Sequence, residues 1–185
     1  METTRNVVVF YSKESSMIKV GDQLPHHHPD GIHRGRGQMA AAWAPMPWMC
    51  TRPPQVKTIA LFAVPGAFTP PVPTSIMPGY VAQADAPKAA GVDEIWCLSV
   101  NDAFVMGAWA RDQKTANKVR MLADGDAAFA KATGLTLDLN GKGLGLRSNR
   151  YSMLVKDGKV ASLNVEAPGK FEVSDARTML GQLKA

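Results

Sequence analysis

The sequence predicts an α/β domain with a central mixed β-sheet flanked by helices on both faces. Three observations carry this prediction. From Thr58 onward, apolar runs with strand composition alternate with helix-like segments, the pattern of a sheet covered on both sides. Near the C-terminus, Asp157-Gly158 separates two further strand-like runs, the signal of a tight antiparallel hairpin. The chain then closes with a turn and a helical segment.

Composition bounds the classes of function. The 185 residues are 45% hydrophobic, enough for one domain with a substantial core. No apolar run approaches the ~18 residues of a membrane span, and the start lacks a basic-then-apolar signal, so no membrane partner and a cytoplasmic location are expected. The net charge of +5 is spread among acids rather than clustered, which argues against nucleic acid as a partner. Two cysteines, Cys50 and Cys97, are too few for a secreted disulfide framework and lack zinc-ligand spacing.

Met1 to Ser16 contains the apolar run Val7 to Tyr11 and reads as an extension, with an extra edge strand as the alternative. Residues 26–56 lack helical or strand periodicity. His26, His27, His28 and His33 lie in this Pro- and Gly-rich stretch without the ordered spacing of a metal site, so no metal is expected. Thr58 to Tyr80 is the organising stretch: a buried strand, then Pro65-Gly66-Ala67-Phe68-Thr69-Pro70, then the first turn of a helix. Free N–H groups and the local dipole at a helix start favour an anion or a thiolate.

Tyr80 to Ala90 has helical composition, with Pro87 arguing for a break and Gly91 for an end. Glu94 to Val100 reads as a buried parallel strand, and Asn101-Asp102 as the cap of a helix through Ala103 to Arg111. Val119 to Ala123 is the next strand. Asp124-Gly125-Asp126 caps a helix from Ala127 to Thr133, which Gly134 stops. Leu135 to Leu146 reads as a loop, Tyr151 to Lys156 and Lys159 to Asn164 as the hairpin strands, and Ser174 as the cap of the last helix.

The words VPGAFTP, MPGY, LSVNDAFVMGAW, LDLNGKGLGLRSNRYSM and NVEAPGKFEVSDARTML resemble the peroxiredoxins, in particular the type II, peroxiredoxin-5-like group. The resemblance covers Met17 to Pro25 and Thr58 to Ala185. It implies a thioredoxin-like fold, a redoxin domain over residues 17–185, and residues 1–16 as an N-terminal extension. It also implies a thiol-dependent peroxidase that reduces hydrogen peroxide and alkyl hydroperoxides, with glutathione/glutaredoxin or thioredoxin as reductant, no cofactor, and a homodimer.

The family pattern is Pro-x-x-x-Thr-x-x-Cys. Pro65 and Thr69 match it, but Val72 stands where the peroxidatic cysteine belongs, and Ile76 replaces the family's helix histidine. By the same resemblance Pro65 shields the site, Thr69 offers its hydroxyl, and Arg150 holds the thiolate and polarises the peroxide. Arg147 is assigned a structural role. Cys97 matches a position where type II relatives often have a cysteine, sometimes proposed as a resolving partner, although a core role is the preferred reading here. Phe104, Trp109 and Pro78 are the candidates for an apolar dimer patch. The chain as written is expected to be inactive, as a family enzyme that has lost its nucleophile or as a non-catalytic partner. For residues 26–56, and for a second short segment over Pro71 to Met77, we hypothesise a shifted reading frame.

Overall fold

The computed structural model describes residues 17–25, 58–69, 76–116 and 118–184. The expected extension, the atypical segment with its four histidines and Cys50, and Val72 lie outside the described residues.

The described chain follows the order β1 (Thr58–Val64), α1 (Ile76–Ala82), α2 (Asp85–Ala89), β2 (Glu94–Ser99), α3 (Ala103–Asp112), β3 (Arg120–Ala123), α4 (Ala128–Thr133), β4 (Thr136–Leu139), β5 (Gly145–Ser148), β6 (Tyr151–Lys156), β7 (Lys159–Val165) and α5 (Ala176–Lys184). Five strands form one mixed sheet in the order β3-β2-β1-β6-β7. β1 pairs parallel with β2 and antiparallel with β6, while β6 and β7 form the hairpin that Asp157-Gly158 announces.

Because successive strand residues point to opposite faces, β1 and β2 feed two cores at once. Ala60, Phe62 and Val64, with Ile95 and Cys97, pack with Met77 and Tyr80 of α1, Met106 and Trp109 of α3, and Met179 of α5. Ile59, Leu61 and Ala63, with Trp96 and Leu98, face Phe129 of α4, together with Leu135, Ile18 and Leu24. Helices therefore cover both faces, as the sequence predicts. Residues 17–25 join the second face, with Ile18 N donating to Thr133 O at 2.8 Å and Gln23 forming an antiparallel bridge to Lys159.

Three local expectations are corrected. The Leu135 to Leu146 loop contains strand β4 and the start of β5, which together form a small separate hairpin; its residues are mostly half-exposed or exposed, so no apolar alternation marks it. The helix begins at Ile76, in the stretch before Tyr80 where its first turn is expected, but the helical run to Ala90 is two short helices separated at Gln83-Ala84. Pro87 sits inside the second of them, and Ala86 N rather than Pro87 bonds Gln83 O, so the first turn accommodates a residue without an N–H. The cap of α5 is Asp175, whose Oδ1 accepts from Arg177 N at 2.8 Å and Thr178 N at 3.1 Å; Ser174 bonds elsewhere.

The other caps follow the sequence. Asp102 Oδ1 accepts from Phe104 N and Val105 N at the start of α3. Asp124 accepts from Phe129 N and Ala130 N at 3.0 Å, and Gly134 closes α4 in the left-handed conformation, φ 68°. At the centre of the first core, the Phe62 and Tyr80 rings stack at 4.0 Å, 7° from parallel. Phe62→Ala should remove that contact and leave a cavity, lowering stability by about 3–5 kcal/mol in urea denaturation.

Candidate active site

The sheet registers bring Pro65, Thr69 and Arg150 to one end of the fold. Val64, the last residue of β1, pairs with Ser99, so the loop from Pro65 to Thr69 leaves the sheet beside Val100 and Asn101. On the other side of β1, Ala63 pairs with Tyr151, the first residue of β6, which puts Arg150 at this same end. Carboxyl ends of adjacent parallel strands form a crevice where α/β proteins place ligands.

Two side chains that sequence reasoning did not place in the site hold the loop. Asn101 Oδ1 accepts from Ala67 N and from Ser99 Oγ, both at 2.8 Å, and so is not part of the α3 cap. Arg147 Nη1 donates to Pro65 O at 3.4 Å and Val100 O at 3.2 Å, and its Nε donates to Leu144 O at 2.6 Å. The structural role expected for Arg147 is thus a specific one: it ties the loop after β1 to the loop after β2 and to the turn before β5. A guanidinium fork suits this, because its donors diverge in one plane.

Within the loop, Thr69 Oγ1 donates to Gly66 O at 2.8 Å. A hydroxyl has one proton, so in this arrangement the Thr69 oxygen faces any other group as an acceptor, and donation to a peroxide requires the proton to leave Gly66. Phe68 adopts the left-handed conformation, φ 58°, and is 57% exposed, with its ring tilted against Trp109 at 6.4 Å. A bulky residue in that region costs of order 1–3 kcal/mol and is held there by its surroundings.

Arg150 is only 9% exposed. Its Nη1 donates to Lys170 O at 3.3 Å, whereas its Nε is buried without a partner among the described residues. An orphaned buried donor is costly, and it marks a place where a ligand acceptor would be welcome. Burial draws the guanidinium below its ordinary pKa, and the Glu166 carboxylate works in the opposite direction.

Cys97 is different in kind. It is fully buried in β2 beside Phe62, and burial pushes its thiol well above the ordinary range. That is the environment of an inert core cysteine rather than a reactive thiolate.

The geometry defines a class: a thioredoxin-like redoxin with its polar groups gathered where the β1, β2 and β6 ends meet. The Redoxin family model matches residues 53–180. Over 127 residues the chain is 47% identical to Peroxiredoxin-2C of Oryza sativa subsp. japonica, covering 69% of this chain and 78% of that protein. It is 41% identical to the chloroplastic Peroxiredoxin-2E of Arabidopsis thaliana over 171 residues, covering 91% and 70%. Reduced Prx3 from Vibrio vulnificus, solved in complex with hydrogen peroxide, superposes with a TM-score of 0.72 at 45% identity, covering 91% of this chain and 97% of that one. Peroxiredoxin 5 from Alvinella pompejana does so with 0.69 at 31%, covering 90% and 98%. The chain belongs to the peroxiredoxins, a family of thiol peroxidases, and its relatives lie in the type II, peroxiredoxin-5-like group.

The loop offers a direct test of its packing. A Cβ on Gly66 would lie 2.7 Å from Thr69 Cγ2 and 3.0 Å from Arg147 Nη1. Gly66→Ala should therefore displace both groups and cost about 1–3 kcal/mol by overpacking, read from the urea midpoint.

Proposed function

We propose that this chain is a peroxiredoxin that keeps the peroxide-binding frame but, as written, does not turn over peroxide. The observation that carries the reading is Val72, three residues after Thr69, at the position where the family motif has its cysteine. In the family reaction a cysteine thiolate attacks one peroxide oxygen. An S–O bond forms as the O–O bond breaks, the departing oxygen takes a proton to leave as water or an alcohol, and sulfur is oxidised to a sulfenic acid. A first thiol condenses with the sulfenic acid, releasing water and giving a disulfide. A second thiol exchanges with that disulfide and restores the cysteine. A valine offers only C–H bonds and starts none of these steps.

In this reading Pro65 screens the site, Thr69 and Arg150 receive the peroxide oxygens, and the Arg150 Nε–H, unpartnered among the described residues, is one donor open to them. The buried Cys97 is neither a substitute nucleophile nor a resolving partner. A cysteine restored by Val72→Cys would therefore depend on an external thiol, and glutathione/glutaredoxin and thioredoxin are the candidate reductants. The chain would act in the cytoplasm, with residues 17–185 as its redoxin domain and residues 1–16 as an extension.

Val72→Cys should recover peroxide reduction, because the change is small in volume and Pro65, Thr69 and Arg150 are in place. Recovery should be partial, since Pro73 removes a backbone N–H close in sequence to the thiolate. Stopped-flow peroxide consumption with a thiol reductant tests this. Fast turnover by the original chain contradicts the proposal, as does a folded Val72→Cys protein without any reactivity.

A second reading, a non-catalytic dimer partner, draws on surface composition. Phe104 is 64% exposed, and Phe68 and Pro78 are exposed as well, whereas Trp109, expected in the same patch, is only 8% exposed and belongs to the core. We expect a weak homodimer through this apolar surface, weakened further by Phe104→Glu. Light scattering across a concentration series should show mass rising toward twice the monomer; monomer alone at high concentration would rule it out.

A further inference from the structure

The loop between β7 and α5 is built around one carboxylate. Glu166 is 8% exposed, and its Oε1 accepts four hydrogen bonds, from Glu172 N, Val173 N, Ser174 N and Ser174 Oγ, each at 2.8 Å. Four donors on one oxygen demand a charged acceptor; burial alone would raise the carboxyl pKa, yet these bonds hold it below its ordinary value.

The same loop touches Arg150 in two places. Glu166 N donates to Arg150 O at 2.9 Å, and Lys170 O accepts from Arg150 Nη1 at 3.3 Å. On its far side, Ser174 O accepts from the Tyr80 hydroxyl at 3.0 Å, tying the loop to α1. The carboxylate thus fixes the loop, and the loop fixes one Nη of the guanidinium while leaving Nε–H without an acceptor among the described residues.

We infer that Glu166 is a positioning residue for Arg150, acting through the 166–174 loop to hold the guanidinium with its Nε–H turned away from the acceptors of the described residues. The inference rests on the reading of Arg150 as the cation that receives peroxide. Glu166 touches no reacting atom. Its effect reaches the chemistry only through the placement of Lys170 O and the Arg150 backbone. A purely structural loop brace would stabilise the fold without altering the guanidinium, and the two roles differ in what a substitution does to Arg150.

The first arm uses the chain as it exists. The Arg150 Nε–H resonance should be observable and slowly exchanging by heteronuclear NMR, and should broaden or exchange quickly in Glu166→Ala. Glu166→Gln, which keeps the oxygen acceptor but not the charge, should fall between the two, and it keeps the test open if the alanine variant folds poorly. An unchanged Nε–H signal in both variants overturns the inference.

The second arm uses Val72→Cys. There, Arg150→Met should raise the thiol pKa and slow peroxide reduction. Glu166→Ala should do the same to a smaller extent, by at least roughly tenfold in rate, since a misplacement of ~1 Å can cost ~100-fold. In the Arg150→Met background, Glu166→Ala should cause no further loss. If Arg150→Met slows the reaction but Glu166→Ala does not, or if the two losses simply multiply, the positioning role fails while the reading of Arg150 stands. If Arg150→Met has no effect, that reading fails and the inference falls with it.

Discussion

The site depends on the two unlike neighbours of β1. A parallel partner on one side and an antiparallel partner on the other mean that the end of β1, the end of β2 and the beginning of β6 coincide. Pro65 to Thr69, Asn101 and Arg150 are far apart in sequence, and this registry brings them to one end of the sheet. It is secured by the fully buried residues Leu61, Phe62, Trp96, Cys97 and Met153, which feed cores on opposite faces, so a one-residue slip would turn each core inside out.

Two arginines at this end of the sheet solve different problems. Arg147 bonds backbone carbonyls, those of Pro65, Val100 and Leu144, so it uses its donors to hold three loops together. Arg150 commits one Nη to Lys170 O, while its buried Nε has no partner among the described residues. A buried cation with spare donor capacity is costly to keep, and such cost is characteristic of a residue retained for binding rather than for folding. Glu166 supplies nearby compensating charge without capping the guanidinium directly, through a carboxylate whose hydrogen bonds go to the loop.

Much of this was legible in the sequence, for identifiable reasons. β1, β2 and β6 are apolar runs bounded by turn residues, and Asp157-Gly158 names its hairpin. Asp102 and Asp124 stand directly before helices. The β4 and β5 hairpin escaped because it is half-exposed and rich in glycine, so burial left no alternation to read. Ser174 reads as the cap of α5 but is claimed by Glu166, eight residues away, and its neighbour Asp175 caps the helix instead. Asn101 looked like part of a cap because its real partner, Ala67 N, is 34 residues distant. Pro65, Thr69 and Arg150 are assigned by family resemblance, and the registers set all three at one end of the sheet.

The proposed function turns on position 72. In the reading proposed above, Pro65, Thr69 and Arg150 keep the frame of the family reaction while Val72 stands where its motif has the cysteine. The most direct test of that claim is the intact mass of the native protein before and after brief exposure to stoichiometric hydrogen peroxide. A peroxide-binding frame without its nucleophile predicts a mass that fits valine rather than cysteine at position 72 and no rapid gain of oxygen. A fast gain of one oxygen that a thiol reverses, the mark of a sulfenic acid, would contradict it.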